Sequence, residues 1–457
     1  MDQVMLSGLI VALIALSLIL LLTAKYEHRE LILTWLVGAT GALMAVQVAQ
    51  VHVFTIVVVL WALLTHRSGR LPVPVESVVL VGAAVILAST VLFGALVNSQ
   101  TLGLQLVALA ISAAVVGARI SRAGIFRVLE AVLLVVTASS AWALLQVAGV
   151  APIEAWHLDV SALGRPVGFY PEPDWLGLFS GIGILLAWRL PMGRLVRAAL
   201  LTLNIAAWVL AFARAAWIAV AVAAILGTVV YFLTRKRNVS SPPRHGRWLG
   251  VGFVSVTGLL AFELIPSLHD NVLTRLGRTF TVAADDISAQ ARVNQNAGML
   301  ELAQSAPWYG WGLSASGRVG VFGGVNVGEV SRNNVGSNWI LSFWVEGAAL
   351  ALPLLAVIAL AILLTARTVC AQLLLVVTIN SVFSNAMYQP IAWLLLGLCL
   401  AQIRSWREDR PDVDERETRS NLRTSTPGVR LPEGTPGRFM VDRAKDSSSF
   451  QPSRWVS

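Results

Sequence analysis

Long apolar runs separated by short polar gaps dominate the hydrophobic pattern of the chain. A membrane-spanning helix needs about 20 predominantly apolar residues, and thirteen segments of the 457-residue sequence approach that length. Helices of a soluble protein keep one polar face, which these runs lack. The pattern therefore predicts an all-α polytopic membrane protein with about 12–13 transmembrane helices. The predicted spans are 4–23, 31–48, 51–65, 77–97, 102–118, 126–148, 174–190, 196–212, 215–233, 248–266, 340–365, 369–384 and 388–403.

The composition agrees with this pattern. Hydrophobic residues make up 56% of the chain and charged residues 13%, whereas a soluble domain carries about 25% charged residues. The mean hydropathy is +0.72. These values exclude a soluble enzyme, a disordered protein and a fibrous protein. The two cysteines, Cys370 and Cys399, lie inside apolar runs and match neither a metal-ligand nor a disulfide pattern.

Basic residues concentrate in alternate gaps between the predicted spans. Cytoplasmic loops of membrane proteins are enriched in Lys and Arg, so we assign these gaps to the cytoplasm and the N-terminus to the outside. The net charge of +9 is then a membrane signature, and nucleic acid is not expected as a partner. The basic residues in question are Lys25, Arg29, Arg67, Arg70, Arg119, Arg122, Arg127, Arg189, Arg194, Arg197, Arg235, Lys236, Arg237, Arg367, Arg404 and Arg407.

This orientation divides the chain into a transmembrane domain, 1–403, and a C-terminal tail, 404–457. Two large loops, about 149–173 and 267–339, are expected outside the membrane, and long loops with their own charges and glycines are usually functional. The tail is rich in Arg, Asp, Glu, Ser and Pro, so we predict that it is disordered and cytoplasmic. It is either a partner-binding or lipid-surface segment or a solvated extension.

One arginine interrupts an apolar stretch that is too long for a single span. Residues 198–233 would form a helix of roughly 54 Å at 1.5 Å per residue, against a hydrocarbon core of about 30 Å. We therefore predict two spans joined by a tight outer turn at Arg214, since an arginine at mid-membrane is costly. Arg214 is either a snorkelling residue at a helix end or a fixed cation at the outer surface.

Two further stretches of the outer loops carry candidate chemistry. The loop before the span at 174–190 is stiffened by prolines and holds Arg165, Glu172 and Asp174. Asp174 suits either a helix N-cap or a functional role. The second stretch begins at Arg292 and reads as a short amphipathic helix ended by a proline, followed by a glycine-rich turn. Nucleotide-binding and metal-binding motifs are not found, and no metal site is predicted.

Four stretches of the chain, in order, resemble the O-antigen ligase and polymerase family of polytopic bacterial glycosyltransferases. The Arg165 to Gly177 loop is similar to the family's "Gly-Arg … Gly-x-Phe … Pro-Asn" loop, and Phe212-Ala-Arg214-Ala-Ala-Trp217-Ile-Ala is similar to its "Ser-Arg, small, Trp/Leu" segment. The stretch from Arg292 through Pro307-Trp-Tyr-Gly-Trp-Gly-Leu is similar to the family's arginine helix followed by "Pro, large, Gly-x-Gly-Leu". The stretch Ser337-Asn338-Trp-Ile-Leu-Ser-Phe-Trp-Val-Glu346-Gly347 is similar to the family's "His-Asn, aromatic, Leu … Glu-Gly" segment. Together they cover about 160–350.

The resemblance implies an enzyme of the bacterial cytoplasmic membrane that needs no metal or cofactor. Such an enzyme takes a glycan from undecaprenyl pyrophosphate at the outer face and transfers it to a sugar hydroxyl or another envelope acceptor. Two arginines contact the pyrophosphate, and the matching positions are Arg214 and Arg292. Our candidate catalytic residues are Glu172, Asp174, Arg214, Arg292 and Asn338, of which Arg214 and Arg292 follow from the resemblance. The implied substrate-binding residues are Arg165, Arg214, Trp217, Arg292, Ser337, Asn338 and Glu346.

Two departures from the family pattern change the expected chemistry. Ser337 stands where family ligases carry a histidine, a candidate general base, and Asp174 replaces the more usual asparagine. If a base is needed, Glu172 or Asp174 is the candidate. The missing histidine favours a polymerase over a ligase.

Two other classes of function remain alternatives. A solute transporter should place ionisable residues near mid-bilayer, whereas Glu130, Glu263 and Glu346 lie towards predicted span ends. This placement favours the enzyme. A non-catalytic membrane protein of an envelope-assembly complex is the other alternative.

Overall fold

The computed structural model is almost entirely helical where it describes the chain. The described residues are 25–44, 46–48, 50–65, 74–93, 99–153, 165–234, 287–320, 323–325 and 335–408. The prediction of an all-α membrane protein is confirmed: within these ranges the helices are long and apolar, and the only named sheet is a two-stranded hairpin.

The helices and strands of the described ranges are numbered here in chain order. They are α1 (Tyr26–Gly41), β1 (Gln47–Val48), β2 (Val51–His52), α2 (Val53–Leu64), α3 (Val75–Ala88), α4 (Ser99–Arg119), α5 (Arg122–Val147), α6 (Pro173–Arg189), α7 (Arg194–Leu210), α8 (Arg214–Thr234), α9 (Ile287–Gln304), α10 (Trp339–Gly347), α11 (Leu352–Leu364), α12 (Val369–Asn380) and α13 (Pro390–Glu408). Short 3₁₀ turns follow α3, precede α10 and join α10 to α11 at Ser89–Leu92, Ala315–Arg318 and Ala348–Ala351.

Eleven of the thirteen predicted spans fall on described residues, and each contains a helix. The other two, 4–23 and 248–266, lie outside the described residues. Among the described helices, four stretches are long and apolar enough to cross a membrane by length and composition, and three shorter helices are also apolar. The four are Val75–Leu92, Ser99–Arg119, Arg122–Val147 and Trp339–Leu364; the shorter ones are Val53–Leu64, Arg214–Val230 and Val369–Asn380.

The predicted span 31–48 is wrong in its second half. The helix ends at Gly41, and an antiparallel hairpin follows in which Gln47 pairs with His52 and Val48 with Val51. Gln50 in its turn has a φ of 66°, a left-handed conformation that the hydropathy of the segment does not encode. The apolar residues after Gly41 therefore belong to a connection that includes the hairpin and not to a longer helix.

The predicted span 340–365 is interrupted in the middle. Helix α10 ends at Gly347, and Ala348 has a φ of 43°. Helix α11 then starts with Pro353 in its first turn, where a missing backbone N–H costs nothing. The glycine-rich loop contacts the chain at this break, where the Gly312 N–H donates to the Glu346 carbonyl.

Polar side chains join three helices within the apolar interior. Asn204 of α7 is fully buried and donates from Nδ2 to Thr137 Oγ1 over 2.9 Å. Its Oδ1 accepts from Ser140 Oγ at 3.0 Å, and Ser140 and Ser180 lie 3.1 Å apart. Such hydrogen bonds between membrane helices fix their relative rotation. They hold α5, α6 and α7 together beneath the site described next.

The last helix extends further than predicted. The sequence placed the start of the tail at Arg404, but α13 continues to Glu408. The Arg404 guanidinium donates to the carbonyl oxygens of Ala118 and Ile120, the latter over 2.6 Å. These bonds give hydrogen-bond donors to carbonyl oxygens at the C-terminal end of α4 and attach α13 to that end. Residues 409–457 lie outside the described residues.

Candidate functional site

An aspartate at the start of α6 joins two arginines from distant parts of the chain. Arg165 Nη2 lies 3.1 Å from Asp174 Oδ1, and Arg292 Nη2 lies 2.5 Å from Asp174 Oδ2. The Asp174 and Arg165 side chains are about one-fifth exposed, at 18% and 19%, and Arg292 is 35% exposed. Charge-assisted bonds of this kind fix both guanidinium planes. Arg292 is the most exposed of the three side chains and is partly accessible from solvent.

Arg165 also forms hydrogen bonds to the turn that the sequence predicted at Arg214. Its Nε and Nη2 donate to the carbonyl oxygen of Ala211 over 2.9 and 2.6 Å. Ala211 begins a three-residue turn between α7 and α8, in which Phe212 has a φ of 50°. Helix α8 starts at Arg214. The predicted tight turn between two helices is therefore confirmed, and an arginine that was assigned to the same site holds it.

Close packing brings α6 against the same turn. Gly177, one turn after Asp174, leaves no room for a side chain because the Cβ atoms of Ala213 and Ala216 occupy that space. Ala213 is 1% exposed and directly precedes Arg214. The start of α6 and the start of α8 therefore lie side by side. The ion pairs join Arg165, Asp174 and Arg292, and Arg214 follows the turn that Arg165 contacts. We call these four residues the arginine cluster.

Arg292 lies within a helix and not at its start. The sequence predicted that the helix opens at Arg292, but α9 begins at Ile287 and ends at Gln304, before the predicted breaker Pro307. Its far face packs on the glycine-rich segment, where Gly298 lies against the backbone of Gly323. The rigid helix holds the guanidinium over Asp174.

Buried side chains of α5 shape the loop that carries Arg165, and sequence analysis missed them. Gln146 Oε1 accepts from the backbone N–H groups of Val167 and Gly168 over 3.0 and 2.9 Å. Ser139 Oγ accepts from the Phe169 N–H over 3.0 Å. Polar residues on an otherwise apolar helix were the available signal, because such residues are usually satisfied by a specific partner.

The N-cap residue of α6 is Glu172 and not Asp174, which the sequence had offered as a possible N-cap. Glu172 is the N-cap residue by its extended backbone, and Asp174 lies in the first turn after Pro173. Asp174 as N-cap is therefore wrong. A carboxylate in the first turn still faces the positive end of the helix dipole, so Asp174 has a favourable position for its charge. Glu172 is half-buried beside it in sequence.

Trp217 of α8 packs against the turn between α7 and α8. Its indole Nε1 donates to the Trp208 carbonyl over 3.1 Å. The Trp217 ring lies 5.9 Å from the Trp208 ring and 6.4 Å from the Phe212 ring, between centroids. These contacts give Trp217 a structural role next to Arg214, whether or not it also touches a substrate.

Asn338, assigned to catalysis and binding by resemblance, caps a helix. Its Oδ1 accepts from the N–H groups of Ile340 and Leu341 over 3.1 and 3.3 Å at the start of α10. Asn is among the best N-cap residues. The preceding Ser337 is half-buried. Both hydrogen bonds of the Asn338 side chain stay within the first turn of α10.

Glu346 is fully buried near the end of α10. Its Oε1 accepts from Ser316 Oγ over 2.6 Å and its Oε2 from Tyr388 OH over 2.5 Å. The Glu346 carbonyl accepts from the Gly312 N–H over 3.0 Å. These bonds dock the glycine-rich loop onto α10 at the break in the helix. Glu346 therefore organises the loop, and sequence analysis missed its partners Ser316 and Tyr388.

The arginine cluster is suited to a polyanion. Guanidinium groups stay charged and match phosphate oxygens with a planar fork. Three arginines outnumber the one aspartate that pairs with two of them. Within the described part of the chain, no group of three His, Cys, Asp or Glu side chains could hold a metal ion.

The fold and the cluster define a polytopic α-helical membrane protein with a cationic site drawn from one loop, two helix starts and the interior of α9. Residues 198–326 match a family model described as O-antigen ligase. This match supports the assignment of the chain to the O-antigen ligase/polymerase family, as the resemblance indicated. Comparison with curated proteins and with solved structures returned no match.

The matched region covers only part of the candidate site. It contains Arg214, Trp217 and Arg292, whereas Arg165, Asp174 and the segment from Ser337 to Glu346 lie outside it. The family implies a glycosyltransferase-like membrane enzyme that acts on lipid-linked glycans.

Proposed function

We propose that the chain transfers glycan from undecaprenyl pyrophosphate at the outer face of the bacterial cytoplasmic membrane. The acceptor is another glycan chain or an envelope acceptor, and we favour polymerisation over ligation. The family match supports the general class of activity. The arginine cluster supports the pyrophosphate-linked donor.

One observation carries this proposal: Asp174 holds Arg165 and Arg292 in fixed orientations beside the turn at Arg214. Arginines that merely anchor helix ends to lipid head groups need no such arrangement. A preorganised set of cations is what a departing pyrophosphate requires, since it gains negative charge in the transition state. The cluster needs little reorganisation when the reaction occurs.

The transfer step breaks one bond and forms another. The hydroxyl oxygen of the acceptor attacks the anomeric carbon of the donor sugar, and the bond from that carbon to the phosphate oxygen breaks. The lipid pyrophosphate leaves with the electron pair, and the hydroxyl proton passes to a base. Arg214 and Arg292 bind the pyrophosphate oxygens in this proposal, and Arg165 positions the turn at Arg214.

The geometry favours Glu172 over Asp174 as that base. Both carboxylate oxygens of Asp174 are occupied by guanidinium groups, which stabilise its charge and weaken its affinity for a proton. We therefore propose Asp174 as the residue that positions the arginines. Glu172 lies two residues earlier in the same loop and is half-buried.

Polymerisation is favoured because Ser337 occupies the position of the family ligase histidine. A serine hydroxyl cannot act as a general base at neutral pH without help. Asn338 and Glu346 are proposed to shape the site through the cap of α10 and the docked glycine-rich loop, rather than through contact with the reacting atoms.

The proposal is tested with the purified chain in proteoliposomes and the lipid-linked glycan of its host. Release of free undecaprenyl pyrophosphate together with a ladder of longer glycan chains is the expected result. Transfer of one glycan to a different acceptor would identify a ligase. Movement of the glycan across the bilayer with no covalent change would contradict the enzyme and support the transporter alternative.

A further inference from the structure

An exposed aromatic surface lies at the C-terminal end of α3 and shares no residue with the arginine cluster. Leu92, Phe93 and Trp308 are 84%, 53% and 69% exposed, and Tyr309 beside them is half-buried. We call these four residues the aromatic surface. None of them carries a charge, and large apolar side chains that are exposed together usually mark a contact with a protein or a membrane.

Two distant segments of the chain form this surface. The rings of Phe93 and Tyr309 lie 4.6 Å apart between centroids, although Phe93 follows α3 and Tyr309 opens the glycine-rich loop. Trp308 and Tyr309 pack edge to face, with their centroids 5.6 Å apart. Aromatic pairs at these distances attract each other, so the loop is held against the end of α3.

The backbone fixes the position of Trp308. Its carbonyl accepts from the Ala349 N–H over 3.0 Å, at the break between α10 and α11. Gly310 has a φ of 79°, and the Glu346 carbonyl occupies the space that a side chain at this position would need. The glycine that follows the aromatic pair in the sequence is therefore required for the close approach of the loop to the break.

The length of α3 places the aromatic surface relative to the bilayer. The candidate span Val75–Leu92 has 18 residues, which corresponds to roughly 27 Å at 1.5 Å per residue. The hydrocarbon core of a bilayer is about 30 Å thick. Leu92 therefore lies at the edge of the hydrocarbon, and Phe93 comes directly after it.

The loop also meets a second candidate span near this level. Ala349, which bonds to Trp308, belongs to the span Trp339–Leu364. The break before Ala349 packs on α3, because the Leu87 side chain fills the space beside Gly347. Leu87 lies in the last turn of α3. The Trp308 backbone is therefore attached to the membrane domain beside the end of α3.

The opposite end of α3 is assigned to the cytoplasm. Glu76, in the first turn of α3, forms an ion pair with Arg407 near the end of α13. Arg407 is one of the basic residues that the positive-inside rule assigns to the cytoplasm. In this orientation, the aromatic surface at the other end of α3 faces the outer leaflet.

We propose that Trp308 and Tyr309 lie in the head-group layer of the outer leaflet and anchor the glycine-rich loop to the lipid surface. Trp and Tyr are enriched at membrane interfaces, because an apolar ring with a polar tip suits that layer. The position of Leu92 at the edge of the hydrocarbon favours lipid over a glycan as the occupant. The donor of the proposed reaction carries its pyrophosphate in the same layer, so the anchor keeps the loop beside that group. This last consequence alone rests on the proposed function.

Spin-label accessibility measures this contact in the full chain, reconstituted in phosphatidylcholine–phosphatidylglycerol vesicles. A nitroxide is attached to Trp308→Cys, and its collision rate with oxygen, which concentrates in lipid, is divided by that with a water-soluble nickel chelate. Val85→Cys, at an exposed position within α3, is the lipid reference. Gly324→Cys, where a side chain meets no atom within 4 Å, is the water reference. The unsubstituted chain, whose two cysteines are buried, gives the background.

The oxygen-to-nickel ratio at Trp308→Cys should lie between the two references, as expected for the head-group layer. A ratio equal to that of Gly324→Cys would place the surface in water, and a ratio equal to that of Val85→Cys would place it in the hydrocarbon. Poor access by both reagents would indicate a protein partner, such as a second copy of the chain. Each of these three results would overturn the proposal.

A second label keeps the tryptophan and tests its anchoring role. Tyr309→Cys should also give an intermediate ratio, and adding Trp308→Ser should shift that ratio towards the value of Gly324→Cys. Adding Trp406→Ser instead, at an exposed tryptophan near the end of α13, should cause no shift. An unchanged ratio with Trp308→Ser, or equal shifts with both serine variants, would overturn the anchoring role. These measurements need no turnover, so a failure of the proposed function leaves their outcome unaffected.

Discussion

Asp174 and Arg292 are 118 residues apart in the sequence, yet Asp174 Oδ2 and Arg292 Nη2 lie 2.5 Å apart. The pair joins the start of α6 to α9, which lies in the second of the two loops predicted to be outside the membrane. The other oxygen of Asp174 holds Arg165, which fixes the turn before Arg214. One carboxylate thus sets the positions of the residues that the resemblance had suggested separately.

Asp174→Asn should separate positioning from binding. The arginine charges remain, so we expect the KM for the donor to stay within about threefold. The guanidinium groups lose their shared anchor, and misplacement of catalytic groups by about 1 Å can cost about 100-fold. We therefore expect kcat to fall about 10-fold to 100-fold in proteoliposome assays. Unchanged kcat, with normal expression, would remove the positioning role.

Glu172→Gln tests the base assignment. Loss of a general base typically costs about 10²–10⁴ in rate, and the glutamine keeps the size of the side chain. We expect the rate to fall in that range while the protein stays folded. Ser337→His serves as a comparison, since it restores the family's usual residue and should not abolish function. Full activity of the double variant Glu172→Gln, Asp174→Asn would discard both candidate bases.

Asn338 should act mainly as a helix cap. Asn338→Ala removes the acceptor for two N–H groups of α10 and should cost about 1 kcal/mol of stability. Asn338→Asp preserves the cap and should restore both thermal stability and activity. The comparison is a thermal unfolding assay alongside turnover. Wild-type stability with lost activity in Asn338→Asp would instead indicate that the amide contacts the substrate.

Cysteine labelling tests the predicted orientation of the membrane domain. A side chain at Gly324 would meet no atom within 4 Å, and Leu195 is 88% exposed at the start of α7. With an impermeant thiol reagent on intact cells, Gly324→Cys should label and Leu195→Cys should not. The native Cys370 and Cys399 are buried and give little background. The reverse labelling pattern would place the arginine cluster on the cytoplasmic side.

Apolar run length predicted most helices of the described chain, because a spanning helix must hide its backbone from lipid over a nearly fixed distance. The same reasoning found the turn at Arg214, since a 36-residue span is too long for the bilayer. It failed at Gly41, where the helix ends within an apolar stretch. It found the span at 340–365, which corresponds to Trp339–Leu364, but missed the local break after Gly347. Hydropathy carries no information on φ.

The members of the site were easier to predict than their roles. Arg165, Asp174 and Arg292 were all nominated, but the ion pair between Asp174 and Arg292 joins residues 118 positions apart, which no local pattern encodes. Glu346 was nominated for binding, and its buried bonds to Ser316 and Tyr388 instead point to loop docking. A single sequence does not reveal which polar residues of two helices meet.

The central claim is that Arg214 and Arg292 bind one pyrophosphate, and a double-mutant cycle tests it most directly. Turnover of lipid-linked glycan is measured for Arg214→Ala, Arg292→Ala, the double variant and Arg194→Ala, an exposed arginine outside the cluster. Each single substitution in the cluster should lower the rate about 10²–10³-fold.

The double variant should lose less rate than the product of the two single fold-reductions, because residues that share a ligand are coupled. Lysine substitutions should rescue only in part, since they keep the charge without the fork, and Arg194→Ala should be unaffected. Near-normal turnover in either single variant, at equal protein level, would contradict the account.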